Sequence, residues 1–300
     1  MEIVTAEIQE IKTTGVREKL AAYLELTKPR IAFMLVLTSA AGFYLGSTDG
    51  FNIWLFVNAM IGITLLAFGV ATLNQLWERK TDAMMERTAK RPLVVGKITA
   101  NEALIFGVLQ CAVAEIYLAF LVNGLTAVLG LIVIVGYVLL YAPLKTRTSA
   151  STAIGAIPGA LPPLMGWTSA SGEITLGAWI LFALLFVWQF PHFLAIAWMY
   201  REQYAKAGIL MLPVVEPAGK ITAKQIVIFT ILLLPISVAP FFIGLAGLVY
   251  LIGASLLGIW FLSASINAAR AKSNEKARKL LLVSVIYLPL IFLLMVFNKI

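Results

Sequence analysis

Charge is scarce in this sequence. Only 13% of its 300 residues are Asp, Glu, Lys or Arg, about half the roughly 25% of an ordinary soluble domain. So few charges cannot cover a water-facing surface, which excludes a soluble globular domain and a disordered chain. Cysteine is nearly missing as well. A single Cys111 excludes an internal disulfide, a disulfide-stapled scaffold, a cysteine zinc site and a thiolate-held iron–sulfur cluster. Strand-like alternation is absent and the apolar runs are too long for barrel strands, which argues against a β-barrel.

What the sequence has instead is apolar length. Hydrophobic residues make up 61% of it. A helix needs about 20 apolar residues to cross the hydrocarbon core. Nine such spans are expected, near 31–46, 53–77, 103–121, 125–142, 152–168, 176–199, 225–246, 248–268 and 280–298. The fold class is therefore all-α, a polytopic membrane protein. The fifth span holds Gly155, Pro158, Gly159, Pro162, Pro163 and Gly166, so an irregular helix is expected there.

The formal net charge of +8 reads as positive loops on one side of a membrane and not as a nucleic-acid surface. With the N-terminus placed in the cytoplasm and nine crossings, 22 of the 23 Lys and Arg residues fall on the cytoplasmic side. Only Lys299 falls outside, while the short outer loops carry Asp49 and Glu173. That asymmetry predicts a cytoplasmic N-terminus and an outer C-terminus. Residues 1–22 read as a polar cytoplasmic segment, with Glu2, Glu7, Glu10 and Glu18. They resemble neither a transit peptide nor a secretory signal, so the expected location is the cell membrane of a bacterium or archaeon. No sharp repeat or low-complexity segment divides the chain, so residues 1–300 are taken as one domain.

The loop after the second span carries chemistry. Asn74, Glu78 and Asp82 are spaced i, i+4, i+8, within about 80° of one another on a helix. Three hard oxygen ligands on one face at the mouth of a span suit Mg²⁺, which completes its shell with water and phosphate oxygens. Arg87, Lys90 and Arg91 follow. Arg offers a planar fork matched to phosphate. Acids for a metal followed by bases for phosphate is the layout a diphosphate–Mg²⁺ complex needs; the same residues also fit a solvated loop of mixed charge.

A second polar stretch, W-Q-F-P-H-F-L-A-I-A-W-M-Y-R-E-Q-Y, runs from Trp188. It holds Gln189 and the only histidine, His192, with Arg201, Glu202 and Tyr204 at the mouth of the sixth span. Polar groups inside a span face a cavity or a neighbouring helix, so His192 fits either a ligand or an interhelical hydrogen bond. Tyr141, Lys145 and Arg147 end the fourth span on the same side, where the two bases also fit as ordinary positive-inside residues. Glu115 is the one acid at membrane depth.

The stretch Asn74–Leu93, N-xxx-E-xxx-D-xx-M-x-R-T-xx-R-P-L, resembles the first acidic motif of the UbiA-type intramembrane prenyltransferases. L-T-K-P-R at Leu26–Arg30, Y-xxx-K-x-R-T from Tyr141, A-L-P-P-L-M-G-W at Ala160–Trp167, W-Q-F-P-H-F at Trp188–Phe193 and A-G-I-L-M-L-P-V at Ala207–Val214 are similar to the haem branch of that family, the protohaem IX farnesyltransferases. One departure stands out: Gln203 occupies a position before Tyr204 where the family often has an acid, and Glu202 precedes it.

The resemblance implies a nine-helix fold and transfer of a farnesyl group from farnesyl diphosphate to a vinyl group of haem B, with addition of water, to give haem O. It implies Mg²⁺ held by Asn74, Glu78, Asp82 and Glu202, with Lys145 also catalytic. It implies diphosphate binding by Arg87, Arg91, Lys145, Arg147 and Arg201. It implies haem binding by His192, Gln189 and Trp188. The implied surroundings are a lipid bilayer and a haem-handling partner in terminal oxidase assembly, with no nucleic acid. A quinone precursor, another aromatic or a lipid is the alternative acceptor; a transporter with charged inner gates is the rival of a different class.

Overall fold

The computed structural model describes residues 15–48 and 50–300. Glu2, Glu7, Glu10 and Asp49, named above, lie outside them. The chain forms α1 (Val16–Leu26), α2 (Pro29–Gly46), α3 (Ile53–Asp82), α4 (Ala100–Leu121) and α5 (Gly124–Ile134). A π-helix (Val135–Tyr141) and the short α6 (Ala142–Leu144) continue α5. Next come α7 (Ser151–Ser171), α8 (Leu176–Met199), α9 (Arg201–Lys206), α10 (Leu212–Val215), α11 (Lys220–Phe242), α12 (Leu248–Ala271) and α13 (Asn274–Phe297).

Local signals start several of these helices. The Asn52 side chain accepts from the Leu55 amide ahead of α3, and Ser273 accepts from Lys276 ahead of α13. Thr99 and Glu102 form a reciprocal capping box on α4. The long helices then pack on one another, α3 on α4, α11 on α12 and α8 on α13, while α2 runs alongside α7 in the same direction, Ser39 meeting Pro162 and Gly46 meeting Trp167. Large apolar side chains still face outward: Ile105 is 60% exposed, Ile116 60%, Leu256 64% and Ile259 62%. A belt of that size is a liability in water and is ordinary against lipid.

Eight helices among the described residues are long and apolar enough to cross a membrane, against nine spans expected. The difference is α7. It is as long as its neighbours, but its glycines, prolines and hydroxyl residues lower its hydropathy, and most of it is buried between α2, α5 and α8. Nor is α7 broken, as its prolines led us to expect. It runs as one helix through Pro158, Pro162 and Pro163. Across the interface the Ser39 hydroxyl of α2 donates to the Pro162 carbonyl at 2.8 Å and ties the two helices together. The two backbones come close enough for this because Gly42 and Gly166 leave no room for a Cβ against Pro163 and Ser39.

The irregular turn sits next door, in the π-helix. There Gly136 lies against Pro158 and the Tyr141 ring against Gly155. Single π turns inserted in α-helices recur at functional sites.

The polar N-terminal segment runs into α1, an amphipathic helix that buries Ala22 and Leu26 against Ile98 and Ala103. Its other face exposes Val16, Leu20 and Leu24. Lys19 ties it to α4 through Glu102 at 2.5 Å.

Candidate active site

The site begins with the length of α3. Thirty residues at 1.5 Å each span about 45 Å, well beyond a hydrocarbon core of about 30 Å. The helix runs past the expected limit at 77 to Asp82, and its last turns carry Asn74, Glu78 and Asp82 along one face. All three are buried or nearly so, with Asn74 3% and Asp82 2% exposed. The Asn74 amide donates to Glu78 Oε1 at 3.1 Å.

Cations close over that face. The Lys145 ammonium, just past α6, donates to Glu78 and lies 4.4 Å from the centre of the Tyr141 ring. Arg91 donates to Asp82 Oδ2 at 2.5 Å and stands 3.9 Å from Glu78. Lys28, at the head of α2, donates to Asn74 Oδ1 at 3.0 Å. Three cations therefore surround two carboxylates, a surplus of one positive charge in a buried place. Burial works against the Lys145 charge, but the Glu78 carboxylate outweighs it and holds the ammonium above its ordinary range. For Lys28, burial wins and pulls the ammonium down to about 8, with Glu78 opposing and Arg91 and Lys145 adding to the shift.

Lys28 is the residue that the sequence reading missed. Its string was noticed, but its place was not. It adopts φ 49° and ψ 58°, a left-handed conformation, immediately before Pro29. A residue preceding proline favours extended backbone, and a non-glycine residue in such a region costs roughly 1–3 kcal/mol. Contacts hold it there: Gln75 of α3 donates to the carbonyls of Leu26 at 2.9 Å and Glu25 at 3.3 Å, clamping the chain just ahead of it.

The loop after α3 also meets the loop after α8. Buried Met85 packs with Ala197, Tyr204, Ala207, Ile209 and Met211. Arg87 donates to the Tyr204 hydroxyl at 3.1 Å and stacks over the Tyr200 and Tyr204 rings. The Leu210 amide donates to the Lys145 carbonyl at 2.8 Å, so the 145–150 loop joins the same end of the bundle.

Other expected site residues are not brought into the cluster. The Glu202 side chain is 84% exposed and, among the described residues, pairs only with Arg201, at 3.8 Å. Arg201 itself donates to the Trp198 carbonyl and to Asn274. Arg147 is exposed. Glu202 projects outward because the short α9 turns its buried face, with Tyr204, toward Met85. Among the described residues no three Asp, Glu, His or Cys side chains gather as a metal cluster. The α3 face nonetheless offers one amide and two carboxylate oxygens, hard donors of the kind Mg²⁺ accepts while keeping water and phosphate in the rest of its shell.

His192 occupies a separate place, between α8 and α13. Its Nδ1 lies 2.8 Å from the Ser284 hydroxyl, and Trp188 stacks on the ring at 4.6 Å. The Trp188 indole donates to the Ser284 carbonyl at 3.0 Å. Gln189 faces α7, where its amide donates to the Ala156 carbonyl, and it also donates to the Leu185 carbonyl of its own helix. Glu115 stays apart from both places; its oxygens have no hydrogen-bond partner among the described residues and lie against Gly130.

Fold and site define a multi-pass helical membrane protein with a buried, net-positive charge cluster at one end of its bundle. The model of the UbiA prenyltransferase family matches residues 35–294, and the chain belongs to that family. It is 46% identical to a protoheme IX farnesyltransferase of Solibacter usitatus, over 92% of this chain and 98% of that protein. It is 42% identical to a protein of the same name from Koribacter versatilis, over 95% of each. Among solved structures, a digeranylgeranylglyceryl phosphate synthase shares the fold with a TM-score of 0.79 at 20% identity, over 94% of this chain and 98% of that one. A UbiA homolog from Archaeoglobus fulgidus bound to GPP and Mg²⁺ gives 0.67 at 18% identity, over 91% and 99%.

Proposed function

We propose that the protein transfers the farnesyl group of farnesyl diphosphate to a vinyl group of haem B and adds water, giving haem O and diphosphate. The observation that carries the reaction class is the α3 face of Asn74, Glu78 and Asp82 beneath Lys28, Arg91 and Lys145. The acceptor comes from the names of the relatives in Solibacter and Koribacter.

On this reading the diphosphate enters the cluster and draws Lys28, Arg91 and Lys145 away from their present partners. Asn74, Glu78 and Asp82 are then free to hold Mg²⁺, and Arg87 adds charge from the loop that follows. Bound Mg²⁺ supplies positive charge to the leaving diphosphate. The fixed cations stabilise the negative charge that develops there as the allylic C–O bond breaks. The vinyl carbon of the haem takes the farnesyl carbon. Water adds to the resulting cation and loses a proton. The apolar interior of the bundle keeps water from the first cation. His192 and Trp188 meet the haem, while Gln189 fixes α7 against α8. Arg147 and Arg201 act at the rim, where the exposed Glu202 carboxylate stands apart from the α3 oxygens.

The topology we propose is nine crossings, with α7 as the fifth. The N-terminus lies in the cytoplasm and the C-terminus outside, in the cell membrane, and residues 1–300 act as one domain. In support, Lys299 sits at the end of the bundle away from the cluster, with its ammonium on the Tyr44 and Ser47 carbonyls. The test is product mass. Membranes holding the protein are incubated with haem B, farnesyl diphosphate and Mg²⁺. The expected product is a haem heavier by one farnesyl group and one water, lost with EDTA and in Glu78→Gln. Unchanged haem beside a prenylated quinone precursor would replace the acceptor.

A further inference from the structure

The Ser284 hydroxyl makes two short contacts and owns one proton. Its Oγ is 2.8 Å from His192 Nδ1 and 2.7 Å from the Leu281 carbonyl oxygen. The carbonyl can only accept. Were the proton spent on the imidazole, Oγ would face a bare carbonyl oxygen at 2.7 Å and repel it. The proton therefore goes to Leu281, and Ser284 can only accept from the ring. Among the described residues no carboxylate forms an ion pair with the imidazole, which is bonded to the Ser284 hydroxyl alone. The one ring proton then sits on Nδ1, and Nε2 keeps its lone pair.

The ring is also held in orientation. Trp188 lies nearly parallel to it, with 24° between planes, and is itself anchored by its indole to the Ser284 carbonyl. Phe193 meets it edge-on at 5.4 Å. Nε2 has no hydrogen-bond partner among the described residues. Imidazoles that bind a metal through one nitrogen donate through the other, which fixes tautomer and direction.

We infer that Ser284 is a positioning residue: it locks His192 as the Nδ1–H tautomer and so presents Nε2 as the axial ligand to the iron of the haem acceptor. The inference rests on the haem reading above, and it adds a residue from α13 that no motif in the sequence singled out.

Because His192 is the only histidine, [¹⁵N]histidine labelling reports on this one ring without assignment. In the haem-free protein, the expected spectrum has a protonated Nδ1 and an unprotonated Nε2. Ser284→Ala should mix the tautomers, and Ser284→Thr, which keeps the hydroxyl, should restore one. With ferrous haem B bound, resonance Raman should show an iron–histidine stretch that vanishes in His192→Ala. That stretch should broaden or shift in Ser284→Ala and recover in Ser284→Thr. A protonated Nε2 in the haem-free protein, or a Ser284→Ala spectrum identical to the parent, would overturn the inference. So would bound and prenylated haem with no histidine signature, and that result would leave the proposed function standing. A folded protein that binds no haem and prenylates another acceptor would overturn both.

Discussion

Lys28 donates to Asn74 Oδ1 at 3.0 Å from a left-handed backbone placed directly before a proline. The strain has a use in the proposed reaction: it turns the ammonium from the head of α2 onto the metal-binding face of α3. Lys28→Met should lower kcat/KM for the prenyl diphosphate roughly 10- to 100-fold, since a hydrogen bond to a charged group contributes about 1.5–3 kcal/mol. The loss should appear in kcat as well as in KM, because the ammonium binds the diphosphate and also meets the charge that develops on it. Steady-state kinetics with varied prenyl donor decides it; an unchanged kcat/KM removes Lys28 from the site.

Lys28 also sets a pH dependence. Burial pulls its ammonium down to about 8, so the charge that meets the diphosphate is complete below that pH and is lost as pH rises through it. The kcat/KM for the prenyl donor should fall above pH of about 8, and Lys28→Arg should flatten that fall, because arginine stays charged. Stability moves the opposite way. The unfolded lysine, at its ordinary 10.5, binds more protons than the folded one, so the haem- and diphosphate-free protein should gain stability between about 8 and 10.5. Profiles of rate and of thermal midpoint against pH test the two signs separately.

Asp82 serves two ends, and its variants should separate them. It is 2% exposed and pairs with Arg91 at 2.5 Å. Asp82→Ala should abolish turnover, and it should also cost stability, about 1–3 kcal/mol, because Arg91 loses its partner in a largely buried place. Asp82→Asn keeps the shape and a carbonyl oxygen for Arg91, so it should lose about 100-fold or more in rate with a smaller fall in melting temperature. Equal melting temperatures for the two variants would mean that the Asp82–Arg91 pair contributes little to the fold.

Much of this was legible in the sequence, for physical reasons. Spans such as Leu176–Met199 were legible because about 20 apolar residues in a row admit few other readings. The face of Asn74, Glu78 and Asp82 was legible because an i+4 spacing fixes a helix face whatever surrounds it. The α1 helix was hidden because its charges mask a short apolar stripe. The π-helix at Val135–Tyr141 was hidden because a change of hydrogen-bond register leaves no mark in composition. The tie between α2 and α7 rests on Ser39 and Pro162, 123 positions apart, and the bond at His192 on Ser284, 92 positions away. Partners that distant have no local signal.

Arg87 and Tyr204 stand 117 positions apart and are bonded at 3.1 Å. The bond ties the loop after α3 to the loop after α8. Tyr204→Phe removes the hydroxyl and keeps the ring under the guanidinium; Arg87→Met removes both contacts. A double-mutant cycle in thermal stability should give a coupling of about 0.5–1.5 kcal/mol. Strictly additive effects would mean that the loops are held by the Met85 patch alone.

Glu202 divides a one-metal site from a two-metal site. Its side chain is 84% exposed, and its one ion-pair partner among the described residues, Arg201, is bonded elsewhere, to Asn274 and the Trp198 carbonyl. An exposed carboxylate of this kind contributes little where it stands, since surface pairs amount to about 0–1 kcal/mol. Glu202→Gln should therefore keep kcat and the Mg²⁺ dependence within about threefold of the parent. Glu78→Gln, at the centre of the cluster, should lose both. The two variants belong in one Mg²⁺ titration of the initial rate. Should Glu202→Gln fall as far as Glu78→Gln, and recover in part at high Mg²⁺, then diphosphate binding draws α9 inward and Glu202 completes a second metal site. Should it match the parent across the titration, the oxygens of Asn74, Glu78 and Asp82 suffice for the metal that the reaction uses.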